Sequence, residues 1–248
     1  MGVSRQVLRW TGALVLAGAA IATLAAETDP KHRVEPVRLA KDTGKAAISG
    51  VLKGDQYVDY RVRGGAGQTL VVTLKPSNLQ NYFNIHSPGN ESAMFIGSTS
   101  GNQFKRILPG DGEYSVRVYL MRAAARRNES STYALNVALE GKALPAAKDA
   151  VIRGTPFHAS ATMVCARGDN PQFRSCDGYV IRRGYDGTAT LEVRWPDGFK
   201  RSVLFTKLQP VASDSVDTMT FTRAGEVTTV SVGREERFEV PDVLLTGG

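Results

Sequence analysis

The side chains able to do bond-making chemistry are few and badly spaced for it. Three histidines, His32, His86 and His158, are the only imidazoles in the chain. None sits in an H-x-x-x-H or H-E-x-x-H pattern that would pair ligands on one helical face. No G-x-S-x-G elbow exists; Gly97-Ser98-Thr99-Ser100-Gly101 lacks it and reads as a turn between strands. No glycine-rich loop ends in Lys-Ser or Lys-Thr to cradle phosphates. Asp55 and Asp59 have the spacing of a carboxylate pair, but they fall in a hairpin where solvation is expected. His86, beside Phe83 and Ile85, reads as a satisfied structural histidine. A hydrolase would have to be assembled from Asp55, Asp59, His86 and Ser100, and a separation beyond about 10 Å would dismiss that grouping. The chain is read as a non-enzyme needing no cofactor and no metal.

One segment does carry concentrated chemistry. Tyr114 to Arg127, YSVRVYLMRAAARR, begins as an alternating strand with Tyr114, Val116, Val118 and Leu120 on one face and Ser115, Arg117 and Tyr119 on the other. It then breaks into a basic knuckle bearing Arg122, Arg126 and Arg127. Guanidinium groups grip a carboxylate or phosphate in a fixed fork, so the knuckle suits binding. Arg122 and Arg126 are four apart and stack on one side of a helical turn, where like charges repel by a few tenths of a kcal/mol. Either Glu113 or Glu129 pairs with them and the knuckle is solvated surface, or a partner's carboxylate neutralises them.

The elements that must position this knuckle are strands. Alternating or β-branched runs fall near 46–52, 56–62, 68–75, 81–86, 93–97, 104–108, 113–120 and 131–139. Between them stand turn residues such as Gly64-Gly65-Ala66-Gly67, Pro88-Gly89-Asn90 and Pro109-Gly110-Asp111-Gly112. Short strands at this spacing predict an all-β fold: an N-terminal β-sandwich over 33–140. Residues 141–150 lack periodicity and contain Pro145, which marks a linker. Residues 151–248 are again strand-rich, near 178–183, 188–195, 200–206, 218–223, 226–232 and 235–240, and predict a second small antiparallel β domain of unassigned role. Trp195-Pro196-Asp197-Gly198 marks a sharp hairpin within it.

Residues 1–26 have the form of a secretory signal, with Arg5 and Arg9 before an Ala-, Leu- and Gly-rich run and small residues near Ala25 and Ala26 for cleavage. The expected location is periplasmic or secreted, with membrane attachment only through an uncleaved signal. In that oxidising setting Cys165 and Cys176, the only cysteines, predict one disulfide. Closing a loop of that length stabilises by roughly 3 kcal/mol in the chain-entropy model. Residues 26–147 hold 16 basic and 11 acidic groups, whereas 148–248 hold 13 of each. All the basic excess therefore lies in the first half, and it is too small to predict nucleic-acid binding. Arg167-Gly168-Asp169 matches an adhesion tripeptide, and Asn90-Glu91-Ser92 and Asn128-Glu129-Ser130 match glycosylation sequons. Matches this short carry little specificity.

Further residues carry a family resemblance. These are Ser49-Gly50 and Lys53-Gly54 leading to Tyr57 and Tyr60, then Ala66-Gly67-Gln68, Leu108-Pro109, and Gly112-x-Tyr114 before Val116-Arg117-Val118. Arg122-x-x-Ala125-Arg126 ahead of Tyr133 completes the set. Over roughly 36–140 the chain resembles periplasmic inhibitors of g-type lysozyme, and more broadly the bacterial pre-peptidase C-terminal-like sandwiches. The resemblance implies a single jelly-roll-like sandwich whose end loops plug the substrate cleft of a muramidase, a peptidoglycan-cleaving enzyme. It also implies that Arg122 and Arg126 engage acidic residues there, with Arg127 adjacent and a strand-edge Tyr57 as a weaker partner. The second half departs from that single-domain pattern. The alternative expectation is a generic cell-envelope module that turns the knuckle toward anionic glycan or phosphate.

Overall fold

Apolar side chains at every second position turn the first half into two facing sheets. The computed structural model describes residue 2 and residues 31–168 and 174–247, so the expected signal segment and Asp169 lie outside the described residues. In chain order the first half runs β1 (His32–Pro36), β2 (Lys45–Lys53), β3 (Tyr57–Gly64), β4 (Thr69–Pro76), β5 (Asn81–His86), β6 (Ala93–Ile96), α1 (Gly97–Ser100), β7 (Gln103–Ile107), β8 (Gly112–Leu120), α2 (Arg122–Arg126) and β9 (Ser130–Glu140). One sheet has the order β2-β9-β4-β7 and the other β1-β3-β8-β5-β6. Without β1, these two four-stranded orders are the double Greek key of a jelly roll. The added β1 lies parallel to β3, pairing His32 with Tyr57 and Val34 with Asp59. The sheets close on Tyr60, Phe83, Ile85, Leu70, Tyr114 and Leu135, all at most 2 % exposed. The expected turn at 97–101 is a single helical turn, α1.

Several of the residues that carry the family resemblance are structural. Gly50 lies opposite Tyr133 in the β2–β9 ladder. A Cβ on Gly50 would stand 2.3 Å from the Tyr133 hydroxyl oxygen, so only glycine lets that ring cross the neighbouring strand β2. The ring then places its hydroxyl 2.8 Å from that of Tyr60, inside the core. Tyr114 donates to the Gly110 carbonyl at 2.7 Å, tying a corner four residues upstream.

The second half is one antiparallel sheet. Its strands are β10 (Ala159–Arg167), β11 (Arg174–Arg182), β12 (Ala189–Arg194), β13 (Lys200–Thr206), β14 (Gln209–Ser213), β15 (Met219–Ala224), β16 (Val227–Val232) and β17 (Glu236–Pro241), followed by α3 (Asp242–Thr246). They lie in the order β14-β13-β12-β11-β10-β17-β16-β15, and the edges β14 and β15 approach each other, so the sheet is nearly a barrel. Leu191, Val203, Phe205, Val230, Phe238 and Leu245 fill it. The Cys165–Cys176 disulfide joins β10 to β11, with Cα atoms 6.0 Å apart and both residues buried.

The halves meet at one end of the jelly roll. Thr190 donates to the Pro109 carbonyl at 2.7 Å. Arg183, its side chain fully buried, reaches Asp111 at 2.8 Å and donates to Thr190 Oγ1 and the Leu144 carbonyl. Asp214 accepts from Ser87 at 2.7 Å and from Asn90 at 3.2 Å. Ala66, Leu204 and Ala212 form a small apolar cluster there with Leu144. The connection at 141–150 is irregular but bonded to both halves, through Leu144 to Ala66 and Ala147 to Arg182.

Candidate functional site

The opposite end of the jelly roll carries the basic knuckle. β8 has nine residues, which at the usual rise places its two ends roughly 30 Å apart. At the far end Met121 is extended and bonds its N–H to the Gln80 carbonyl, and the chain then turns once as α2. Ala124 is buried under that turn and anchors it, while the longer side chains point outward. Asn128 closes the turn at φ 54, a left-handed conformation that asparagine tolerates better than most residues. Gly54, at φ +61 in the neighbouring β2–β3 turn, packs so closely that a Cβ would meet Asn128 Oδ1 at 2.8 Å. The Gly54 N–H bonds the Glu129 carbonyl, locking the two loops together.

On this end Arg122 and Arg126 are exposed and make no hydrogen bond or ion pair with any described residue. They sit at the first and last positions of α2. Arg127 differs from the expectation of a third outward cation. It is exposed but holds Glu129 at 2.6 Å. Glu129 also accepts from Asn78 at 2.8 Å, and the Asn78 hydrogen bond, followed by Arg127, keeps its carboxyl below the ordinary range. The acidic residue eligible to neutralise the knuckle locally is therefore spent on Arg127. Glu113, the other candidate, lies opposite Arg63 at the far end of β8.

Tyr57 corrects the expectation of a strand-edge tyrosine. β3 is interior because β1 covers its outer side. The Tyr57 ring stacks on His32 with centroids 4.5 Å apart, and the Arg117 guanidinium stands 4.7 Å from its centroid. It remains half-buried at the knuckle end, where β3 starts opposite the last residues of β8.

Asp59 is a second correction. Its position in a hairpin predicted a solvated side chain, yet it is 1 % exposed. Arg117 holds it through Nε at 2.7 Å and a terminal nitrogen at 2.8 Å, and His32 lies 2.9 Å away. Burial alone would raise this carboxyl, but the Arg117 and His32 contacts outweigh it and hold it below the usual range. Asp55 is exposed and pairs with Lys31 at 2.7 Å. His86 bonds the Glu91 carbonyl through Nδ1 at 2.9 Å, and Ser100 contacts Thr99. No hydrogen bond joins any two of Asp55, Asp59, His86 and Ser100 among the described residues. No cluster of three or more His, Cys, Asp or Glu arranged for a metal occurs among them either. The Arg117–Asp59–His32 arrangement escaped the sequence because its members come from three strands. Its one local signal was Arg117, a charged residue on the non-core face of β8 between two buried valines.

No protein-family model and no curated protein matches the chain. Among solved structures, a periplasmic lysozyme inhibitor of g-type lysozyme, PliG, from Aeromonas hydrophila is 34 % identical over 44 % of this chain and 98 % of that chain, with a TM-score of 0.41. The corresponding inhibitors of Escherichia coli (a mutant) and Salmonella Typhimurium are each 26 % identical over the same shares, with TM-scores of 0.36 and 0.35. The matched share is the first half, the jelly roll.

Proposed function

From a first half that belongs to the family of periplasmic inhibitors of g-type lysozyme, we propose that this protein is an exported inhibitor of a muramidase of that type. Arg122 and Arg126 are its principal contacts. The observation that carries this reading is the pair of exposed, unpartnered guanidiniums on the end of the jelly roll that the second half leaves uncovered. Two outward cations on a turn pinned by Ala124 and by the Gly54–Glu129 bond are pre-organised, so little ordering cost falls on association. Entering a cleft lined by carboxylates, they would exchange mutual repulsion for charge-assisted hydrogen bonds in a desolvated site. Tyr57, held by His32 and Arg117, offers an aromatic flank at the same end. Arg127 contributes less, because engaging a partner requires it to leave Glu129. The division into a binding domain at 33–140 and a second domain at 151–248 is part of this proposal, as is periplasmic location.

The test is clearing of a peptidoglycan suspension by g-type lysozyme, with and without the mature chain. Stoichiometric suppression of clearing is expected, and its absence at large molar excess ends the proposal. Replacing both Arg122 and Arg126 by Ala should weaken inhibition by at least about a hundredfold, two lost charge-assisted contacts of 1.5–3 kcal/mol each. The fold should be unaffected, since neither side chain bonds to it. A folded double variant that inhibits fully would clear those residues. Inhibition that fades steeply between low and high salt would instead favour a surface-charge module binding anionic glycan.

A further inference from the structure

The outer face of the β1-β3-β8-β5-β6 sheet carries side chains that neither the jelly-roll core nor the knuckle uses. Strand pairing sets them in rows. Tyr57, Tyr119 and Tyr82 form one row across β3, β8 and β5, and all three are half-buried. The next row holds Asp59, Arg117 and Asn84, and the third holds Arg61, Ser115 and His86. Over the third row lies a depression of about 360 Å³ lined by Arg61, His86, Asn90, Glu91, Ser115 and Arg117, within the size range of small-ligand sites.

Its floor holds an anomaly. Ser115 is 5 % exposed, and its hydroxyl is buried without a hydrogen-bond partner among the described residues. An unmet buried hydroxyl costs on the order of a net hydrogen bond or more, and retaining one at the base of a cavity points to a ligand. Above it, the Arg61 guanidinium makes no hydrogen bond with a described residue; its nearest carboxylates, Asp59 and Glu113, lie 3.7 and 4.0 Å away. Arg117 commits Nε and one terminal nitrogen to Asp59, leaving the other terminal nitrogen for the depression. His86 spends Nδ1 on the Glu91 carbonyl, and burial lowers its proton affinity, so its Nε2 is an acceptor. The Glu91 side chain has no partner among the described residues.

Charge then narrows the ligand. The guanidiniums of Arg61 and Arg117 are balanced by the carboxylates of Asp59 and Glu91, with Glu113 just beyond. A balanced site has no electrostatic preference for phosphate or another anion. Its mixture of donors and acceptors instead matches a ligand whose groups both donate and accept, which is the property of sugar hydroxyls. Tyr119, fixed by its hydroxyl donating to Asn84 at 3.1 Å, supplies an aromatic body beside the polar cavity. From Tyr119 to Ser115 the strip runs about 14 Å along β8, room for a short oligosaccharide. We propose that this sheet face is a saccharide-binding site for a neutral glycan, with Arg61, Ser115 and Arg117 holding one ring and Tyr119 flanking the next. The second half supports the rim, because Asn90 bonds both Asp214 and the Lys200 carbonyl.

The experiment is calorimetric titration of the mature chain with N-acetylchitotetraose, with inorganic phosphate as the anionic comparison. Saturable binding of the saccharide in the millimolar range or tighter is expected, with phosphate weaker. Arg61→Gln and Ser115→Ala should each weaken saccharide binding about tenfold, the worth of one hydrogen bond to a charged or buried partner. Ser115→Ala should meanwhile leave the fold equally stable or more so, because it removes an unmet polar group. A merely structural serine would give that stability result with no loss of binding. Arg122→Ala/Arg126→Ala should bind the saccharide unchanged, so the inhibitor reading and this one fail separately. No saturable saccharide binding, phosphate binding more tightly, or full binding by both Arg61→Gln and Ser115→Ala would overturn the proposal.

Discussion

Asp59 shows how one carboxylate can be made compatible with burial. It has a bidentate Arg117 and a neighbouring His32, and its half-buried neighbour Arg61 stands 3.7 Å away. Because its folded-state pKa lies below the unfolded carboxylate value, its contribution to stability is fully present above about pH 4. That contribution is lost as pH falls through the folded value. Arg117 is partly exposed, so solvent screening trims the interaction, and Asp59→Asn should cost about 1–2 kcal/mol at pH 7. Urea unfolding followed from pH 7 to pH 3 should show wild-type stability falling below pH 4, with a flatter profile for the variant. Parallel profiles would remove Asp59 from the account. Arg122 and Arg126 obey the opposite rule: nothing among the described residues satisfies them, so their replacement should be felt only in binding.

At the scale of elements, β2 and β9 depend on a glycine that no propensity scale would place in a strand. Gly50 gives the Tyr133 ring its path, and the ring delivers the hydroxyl that Tyr60 needs. Gly50→Ala should therefore destabilise by about 1–3 kcal/mol through overpacking. Adding Tyr133→Ala should make the glycine substitution nearly neutral, because the collision is gone. Equal cost of Gly50→Ala in both backgrounds, read from urea midpoints, would rule out the ring as cause. The same logic of close approach acts in the basic turn after β8, where Gly54 and Asn128 fit only because one lacks a Cβ and the other accepts a left-handed backbone. That turn is rigid for reasons unrelated to its charge.

For the whole molecule, the decisive contacts are those that join the halves. Arg201, only 3 % exposed, holds Glu236 through two nitrogens and Asp214 through a third. Asp214 in turn accepts from Ser87 and Asn90 of the jelly roll. Arg201→Met would leave two buried carboxylates uncompensated and should cost about 3–5 kcal/mol in thermal or denaturant unfolding. A smaller loss, within the range of a surface substitution, would mean that the network is not what couples the halves. This interface fixes which end of the jelly roll is uncovered and which hairpin rims the sheet-face depression. No helix among the described residues is long and apolar enough to cross a membrane.

Much of the architecture was readable because strands write their own period. The alternations expected near 56–62, 68–75, 81–86 and 113–120 became β3, β4, β5 and β8, and the covalent pairing of Cys165 with Cys176 is also present. Three strands left weaker marks. β1 is short and ends in Pro36, β14 contains Pro210, and β10 is rich in small residues, so none shows a clean apolar stripe. Local sequence also fixed the basic character of the turn after β8. Tertiary structure alone decided that Arg127 is engaged while Arg122 and Arg126 bond to no described residue, that Asp59 is buried, and that Tyr57 lies beside β1 and not at a sheet edge. The reason is physical. Periodicity is set by neighbours along the chain, whereas the partner of a charge is set by which strands lie side by side, and those strands are dozens of residues apart.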